Sequence, residues 1–476
     1  MVALMPKSWL ADLKTLLGSG IDPDSDNCLG ILAFEVAATM ARLVSIHNSL
    51  SAPRIQQLRS DMRSEGISYL ISPDQTYLLT LACAEILTEL DRAADAVSRL
   101  SIRCRSPFPR AFSCIYPDAK NGSLMSFLEE FKFTKGSEKR MKTMEKQVAF
   151  ASRLYSEMDT LNDLEASERK MDDWKKHSGP IPLDQKAVEQ SDLLKRELVA
   201  QRLRVHKLMD ESLWQMSFDK VVGTMAKSAL SILYRICLVF GQFVHGLPPV
   251  YNNTYDTLYS YTPKGKGKLS SGPLKSPKPV VYETTIRHSA PIFVQKDDKS
   301  KPLKKLIKSM VPPPSTVGSA GMALRYANVI LAAVKLLAMR LGDLKPSDQG
   351  EDDEEDEWGT REELYEMLPA GVRAAVKIKL KECWKKDVRA VAEQGVADGW
   401  GQVVKGLLSW LGPMARDTER WQEERNLDRM QRFAVGPRTV KLKTLHFADS
   451  VKTEAAMVEV LVGLSCMCWY HEQRTW

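Results

Sequence analysis

Much of the usual vocabulary of enzyme sites is missing from this sequence. No two cysteines form a C-x-x-C pair, no histidines form H-x-x-x-H, and no histidine follows a glutamate by three positions. These absences remove the thiol–zinc, zinc-protease and di-iron helix-bundle patterns. The G-x-S-x-G elbow of serine hydrolases is missing too. The eight cysteines (Cys28, Cys83, Cys104, Cys114, Cys237, Cys383, Cys466 and Cys468) are scattered. That argues against a disulfide framework and for a reducing compartment.

No apolar run approaches the roughly 20 residues of a membrane span. The most apolar segment, Ala229 to Phe240, carries Arg235 in its middle, so a buried helix is expected there. The opening MVALMPKSWLADLKTLL lacks the basic start and apolar stretch of a signal peptide, and Val2 is not the glycine that myristoylation requires. The expectation is no signal peptide, no transmembrane helix, no N-myristoyl anchor, and residence in the nucleus or cytoplasm.

What is present is helical patterning. The chain has 476 residues, 44% of them hydrophobic, which suffices for two or three domains. In LGILAFEVAATMARLVSIHNSLS, Leu29, Leu32, Val36, Leu43, Ile46 and Leu50 fall on a 3-4 spacing broken by Thr39. In SPDQTYLLTLACAEILTELDRAADAVSRL, Leu79, Cys83, Ile86, Leu90, Ala93, Val97 and Leu100 form another stripe, with Ser72 placed to cap, Pro73 first in the helix and Gln75 at the reciprocal capping-box position. Residues 137–216 read as long, partly coiled-coil helices, with a seam through Met141, Met144, Val148, Ala151, Tyr155 and Met158 that shifts at Leu161 and Leu164. An intramolecular bundle is favoured over a dimer, although the spacing leaves the oligomeric state open.

Charge is concentrated rather than spread. Of the net +7, the stretch Lys264 to Lys308 holds twelve Lys or Arg against three acidic residues, so the remainder of the chain is slightly acidic. Residues 247–314, rich in Pro, Gly, Ser and Lys, read as a disordered basic linker. Lys264, Lys266, Lys268, Lys275, Lys278, Lys304, Lys305 and Lys308 form its candidate contact patch, and Ser276 before Pro277 is a candidate phosphorylation site. An acidic run, Glu351 to Glu357, reads as a solvated insert (348–358) that the linker could fold onto. The expected organisation is an N-terminal segment 1–27, a helical domain 28–246, the linker 247–314 and a helical domain 315–472.

The stretch TVGSAGMALRYANVI, Thr316 to Ile330, most resembles a chemical site, because glycines before a helix can cradle phosphate. It lacks the lysine and spacing of a phosphate loop and follows prolines rather than a strand. The apolar rows Val317, Ala320, Leu324, Ala327, Leu331, Val334 and Ala323, Tyr326, Ile330, Ala333, Leu337 instead predict a central helix entered through a tight turn. GKGKLS at Gly265 has only two glycines of a nucleotide loop, His206 and Asp210 read as a solvated i, i+4 pair, and the thiols of Cys466 and Cys468 read as core. No catalytic residue, metal ligand or cofactor is expected. The linker's sparse arginine and aromatic content argues against specific nucleic-acid recognition.

GILAFEVAATMARLVSIHNSLS and ISPDQTYLLTLACAEILTELDRAADAVSRL resemble the amino-terminal domain of the plant PSK simulator family. VGSAGMALRYANVI, LYEMLPAGVRAAVKIKL, LLSWLGPMARDTERWQEERN and LKTLHFADSVKTEAAMVEVLVGL resemble its carboxy-terminal domain, with SLWQMSFDKVVGTMAKSAL between. The resemblance implies a non-enzymatic plant regulator that promotes growth, is linked to the peptide hormone phytosulfokine, and is nuclear in some members. It carries no catalytic residues over. The expectation is an all-α protein of two helical-bundle domains acting through protein partners. The alternative is a peripheral membrane or phosphoinositide-binding adaptor whose linker lysines meet an anionic surface.

Overall fold

The computed structural model describes residues 28–131, 135–177, 185–248, 310–341, 352–386, 394–425 and 431–474. The basic patch, Ser276 and the GKGKLS stretch lie outside these residues. The described chain is all-α, with only two isolated β-bridges, Cys28 to Ser217 and Thr316 to Asp449.

The principal helices of the N-terminal half are α1 (Ala33–Ser49), α2 (Ala52–Asp61), α3 (Glu65–Leu70), α4 (Gln75–Ser101), α5 (Lys135–His177), α6 (Gln185–Glu211) and α7 (Phe218–Phe240). The predicted stripes are the buried faces: Val36, Leu43 and Leu50 on α1 and its end, and Cys83, Leu90 and Val97 on α4, are almost fully shielded. Thr39 fits inside α1 because its hydroxyl donates to the Glu35 carbonyl at 2.9 Å. α4 starts differently from its predicted cap. Asp74 is the N-cap, its carboxylate accepting from Thr76 N at 2.9 Å, while Ser72 Oγ accepts from Asp74 N at 3.1 Å and Gln75 Nε2 donates to the Met62 carbonyl. The local Asx turn wins because Asp74 stands one residue before the helix and is the better acceptor.

α7 packs against α1 and α4 and is buried nearly all round. Arg235 is accommodated there because Nε and Nη2 both donate, at 3.3 Å, to the Leu50 carbonyl, one of the orphan acceptors at the end of α1. By length and composition, Gly30–Ser49 and Phe218–Phe240 could each cross a bilayer, and in this fold most of each lies inside the protein. α5 lies along α1 and pairs with α6. Met141, Met144, Val148, Ala151 and Met158 on α5 and Ser191, Leu198, Gln201, Val205 and Leu208 on α6 are all buried. Gln201 Nε2 donates to the Glu157 carbonyl at 2.7 Å, and Arg202 meets Glu165 at 3.1 Å. The seam is therefore closed within one chain.

The C-terminal half contains α8 (Ala323–Leu341), α9 (Asp352–Met367), α10 (Ala370–Lys386), α11 (Gln394–Glu423) and α12 (Ser450–Arg474). α8 is central, packed on α9, α11 and α12. Tyr326, Ala327, Ile330, Ala333 and Leu337 are buried, whereas Leu324 is exposed and Leu331 and Val334 lie at the edge of the packed arc. The acidic run, expected to interrupt the domain, is helical from Asp352 onward as the first turns of α9. Carboxylates in a first turn complement the positive end of the helix dipole. Where α12 meets α11, Gly463 leaves no room for a side chain: an added Cβ would lie 2.4 Å from Val404 Cγ2.

Candidate functional site

The two halves close on each other along a polar seam. From the N-terminal side, α4 contributes Glu85 and Glu89, one helical turn apart, and α2 contributes Asp61. From the C-terminal side come Asp417, Trp421, Glu424 and Arg425 at the end of α11, and the segment 435–447 that follows. Glu85 is 7% exposed, and both its oxygens are engaged. Oε1 accepts from Arg425 Nη2 at 2.9 Å and from Trp421 Nε1 at 3.3 Å, while Oε2 accepts from Lys441 N at 2.7 Å. The Arg425 guanidinium stacks 4.1 Å from the Trp421 ring centroid, and Lys441 Nζ lies 4.9 Å from the same centroid.

Charges around this pair are matched. Glu89 lies 3.7 Å from both Arg42 and Arg438 and 2.7 Å from Arg92. Lys443 reaches Asp61 at 2.9 Å and Asp417 at 3.2 Å, joining α2 to α11. Backbone atoms complete the closure: Ser45 Oγ donates to the Gly436 carbonyl, Asn48 Nδ2 to that of Val435, and Asp449 N to that of Leu70. Burial pushes the Glu85 carboxyl upward against the opposing pull of Arg425, and burial lowers both Arg425 and Lys441. Burial also opposes the charge on Lys443, but Asp61 and Asp417 outweigh it and raise that group. Beside the seam lies a cleft of about 160 Å³, bordered by Arg54, Asp61, Asp417, Arg420 and Lys443.

Glu85 has its acceptor positions filled by the protein's own donors, and among the described residues no three His, Cys, Asp or Glu side chains are grouped to hold a metal. The glycine step sits at the edge of the same junction. Gly318 N donates to the His446 carbonyl at 3.0 Å, Val317 N to that of Ala448 at 2.9 Å, and a Cβ on Gly318 would fall 2.2 Å from the His446 oxygen. The N–H groups a phosphate would need are thus already used by the chain, and Gly321, at φ +68°, turns it into α8. His206 and Asp210 are exposed on α6, and Cys466 and Cys468 are buried. Burial raises the Cys466 thiol to about 11, which keeps it protonated and inert.

Sequence reasoning missed the seam because its partners are more than 300 residues apart. One signal pointed to it: Glu85 interrupts the otherwise apolar ACAEIL of α4, and a carboxylate in such a place needs a partner.

The family described as "Domain of unknown function (DUF3475)" matches residues 31–86, and "Protein of unknown function (DUF668)" matches residues 316–420. The first match ends at the Glu85 side of the seam, and the second stops just short of Trp421 and Arg425. Among curated proteins the chain is similar to Protein PSK SIMULATOR 1 of Arabidopsis thaliana, 25% identical over 92% of this chain and 55% of the relative. It is also similar to Protein PSK SIMULATOR 2, at 23% over 94% of this chain and 60% of the relative, and to Protein PSK SIMULATOR 3, at 24% over 92% and 56%, both from the same plant. The chain therefore spans somewhat more than half the length of the curated relatives it matches. No solved structure matches it significantly. Two domain families matched in the expected order, and three curated relatives aligned along more than nine-tenths of the chain, make it similar to the PSK simulator proteins over both of its halves.

Proposed function

We propose that this protein is a non-enzymatic regulatory scaffold that promotes plant growth in phytosulfokine-linked signalling, acting through protein contacts from the nucleus or cytoplasm. The observation that carries the reading is the closed seam. It fuses two domains of unknown function into one helical body and creates a surface belonging to neither half alone. At that surface Tyr69 of α3 packs edge-on against Trp410 of α11, with centroids 5.9 Å apart, and Lys452 of α12 donates to the Tyr69 carbonyl at 2.9 Å. Tyr69 is 48% exposed and Val451 beside Lys452 is 75% exposed. Exposed apolar groups rimmed by charge are the usual anchor of a protein interface.

The test expresses the chain, or its Tyr69→Ala/Val451→Glu variant, in seedlings and scores phytosulfokine-dependent root elongation together with the proteins captured. Loss of growth promotion and of the same captured partner, at unchanged protein level, is the expected result. Full growth promotion by the folded variant would reject this surface. The +9 balance of Lys264 to Lys308 supports the adaptor as a second reading. Its expected outcome is sedimentation with anionic vesicles that is abolished when those lysines become glutamine.

A further inference from the structure

A second cavity, of about 410 Å³, lies in the C-terminal half, away from the seam. α8, α9, α10 and α12 line it, leaving it open to solvent on one side, and its walls are largely apolar: Leu336, Leu364, Val376, Leu461, Leu464 and Cys468. The volume falls within the range of about 300–1,000 Å³ typical of small-molecule sites. A largely apolar groove of this size holds ordered water poorly, because water needs two to four polar partners.

The charged residues at this cavity are all of one sign. Arg361, Arg373 and Lys377 border it, and among the described residues no carboxylate does. Arg373 is unusual among them. Its Nη2 donates to the carbonyls of Tyr365, Leu368 and Glu366 at 3.0, 3.4 and 3.5 Å, and its guanidinium stacks 4.6 Å from the Tyr365 centroid. Its Nε is buried without a hydrogen-bond partner. A buried donor left unpaired in this way costs stability unless something accepts from it. Lys377, 5.9 Å from the same ring, is exposed.

We propose that this cavity binds an amphipathic small molecule, with an apolar chain among the leucines and an anionic head held by Arg373, Arg361 and Lys377. The head is a carboxylate or phosphate, since both accept charge-assisted hydrogen bonds from guanidinium and ammonium groups. The source is either a free amphiphile or a lipid taken from a bilayer.

The probe is dodecanoate, titrated calorimetrically into the full chain, with dodecanol as the uncharged match. Dodecanoate should bind saturably at one site and about tenfold tighter than dodecanol, a difference of about 1.4 kcal/mol. Leu464→Trp should fill the cavity and abolish binding, and Lys377→Gln, at an exposed position, should weaken dodecanoate several-fold without moving the melting temperature. Competition by phosphatidylserine vesicles would assign the natural ligand to a bilayer lipid, and failure to compete would assign it to a soluble amphiphile. Equal affinity for acid and alcohol, no saturable binding, or unchanged binding by folded Leu464→Trp would each overturn the site.

Discussion

Arg425 and Glu85, 340 positions apart in sequence, form an ion pair of 2.9 Å between a half-buried guanidinium and a buried carboxylate that joins the two halves of the molecule. The pair is stabilising only as a pair. Removing Glu85 leaves a half-buried guanidinium without its main counter-charge and the Lys441 amide without its acceptor. Glu85→Ala is therefore expected to destabilise the protein by about 3–5 kcal/mol. The double variant Glu85→Ala/Arg425→Ala should cost clearly less than the sum of the single variants, because the second substitution removes the uncompensated charge. Urea denaturation of the four proteins gives the coupling, and strict additivity would show that the contact carries no energy.

His446 makes stability depend on pH in a defined direction. Burial, assisted by the Lys441 ammonium 3.4 Å from Nε2, lowers the imidazole from 6.5 to about 4. The unfolded chain therefore takes up a proton on this residue between pH 6.5 and about 4 while the folded chain does not. The stabilising contribution is complete above pH 6.5 and is lost as pH falls through that window, to the extent of about 3 kcal/mol at most. His446→Phe retains a ring against Trp421 and removes the titration. Denaturation at pH 7 and pH 5 should show a smaller acid loss in the variant, and identical losses would exclude His446 as the cause.

The interior of each half was legible in the sequence, and their junction was not. Apolar spacing located the buried faces of α1, α4, α5 and α8, because a helix turns its every third or fourth residue to the same side whatever it packs against. That spacing says nothing of which faces meet, so the approach of Arg425, Lys441 and Lys443 to Glu85 and Asp61 stayed hidden. Local competition also escaped it: Ser72 and Asp74 both satisfy the preference for a cap, and only the turn geometry chose between them. Charge pattern was similarly ambiguous at Asp352, where acidic residues suit both a solvated loop and a helix start.

The two glycines of the step before α8 should respond differently to the same substitution. At Gly318 a Cβ would collide with backbone, the His446 oxygen at 2.2 Å, which cannot rotate aside. At Gly321 the space is open and only the φ of +68° opposes a side chain. Gly318→Ala is expected to cost about 3 kcal/mol, the upper range for overpacking, and Gly321→Ala about 1 kcal/mol, the cost of left-handed backbone. Thermal melts rank them, and a phosphate-binding role would instead predict phosphate-dependent stabilisation of the wild type that Gly318→Ala abolishes.

Ala327 tests the centrality of α8. It is fully buried, and its neighbours Tyr326 and Ile330 are shielded with it. α8 makes its most extensive helix contact with α11, and α11 in turn carries Asp417, Trp421 and Arg425 to the seam. A carboxylate at Ala327 would have neither room nor partner. Desolvating it costs several kcal/mol, comparable to the whole stability of a domain. Ala327→Glu should therefore unfold the C-terminal half and open the junction with it, seen as lost helicity and as proteolytic cleavage within α11. Ala327→Gly, which deletes only a methyl group, should cost about 1 kcal/mol through helix propensity and leave the junction closed. A soluble Ala327→Glu protein with wild-type melting behaviour would place the packed face of α8 elsewhere.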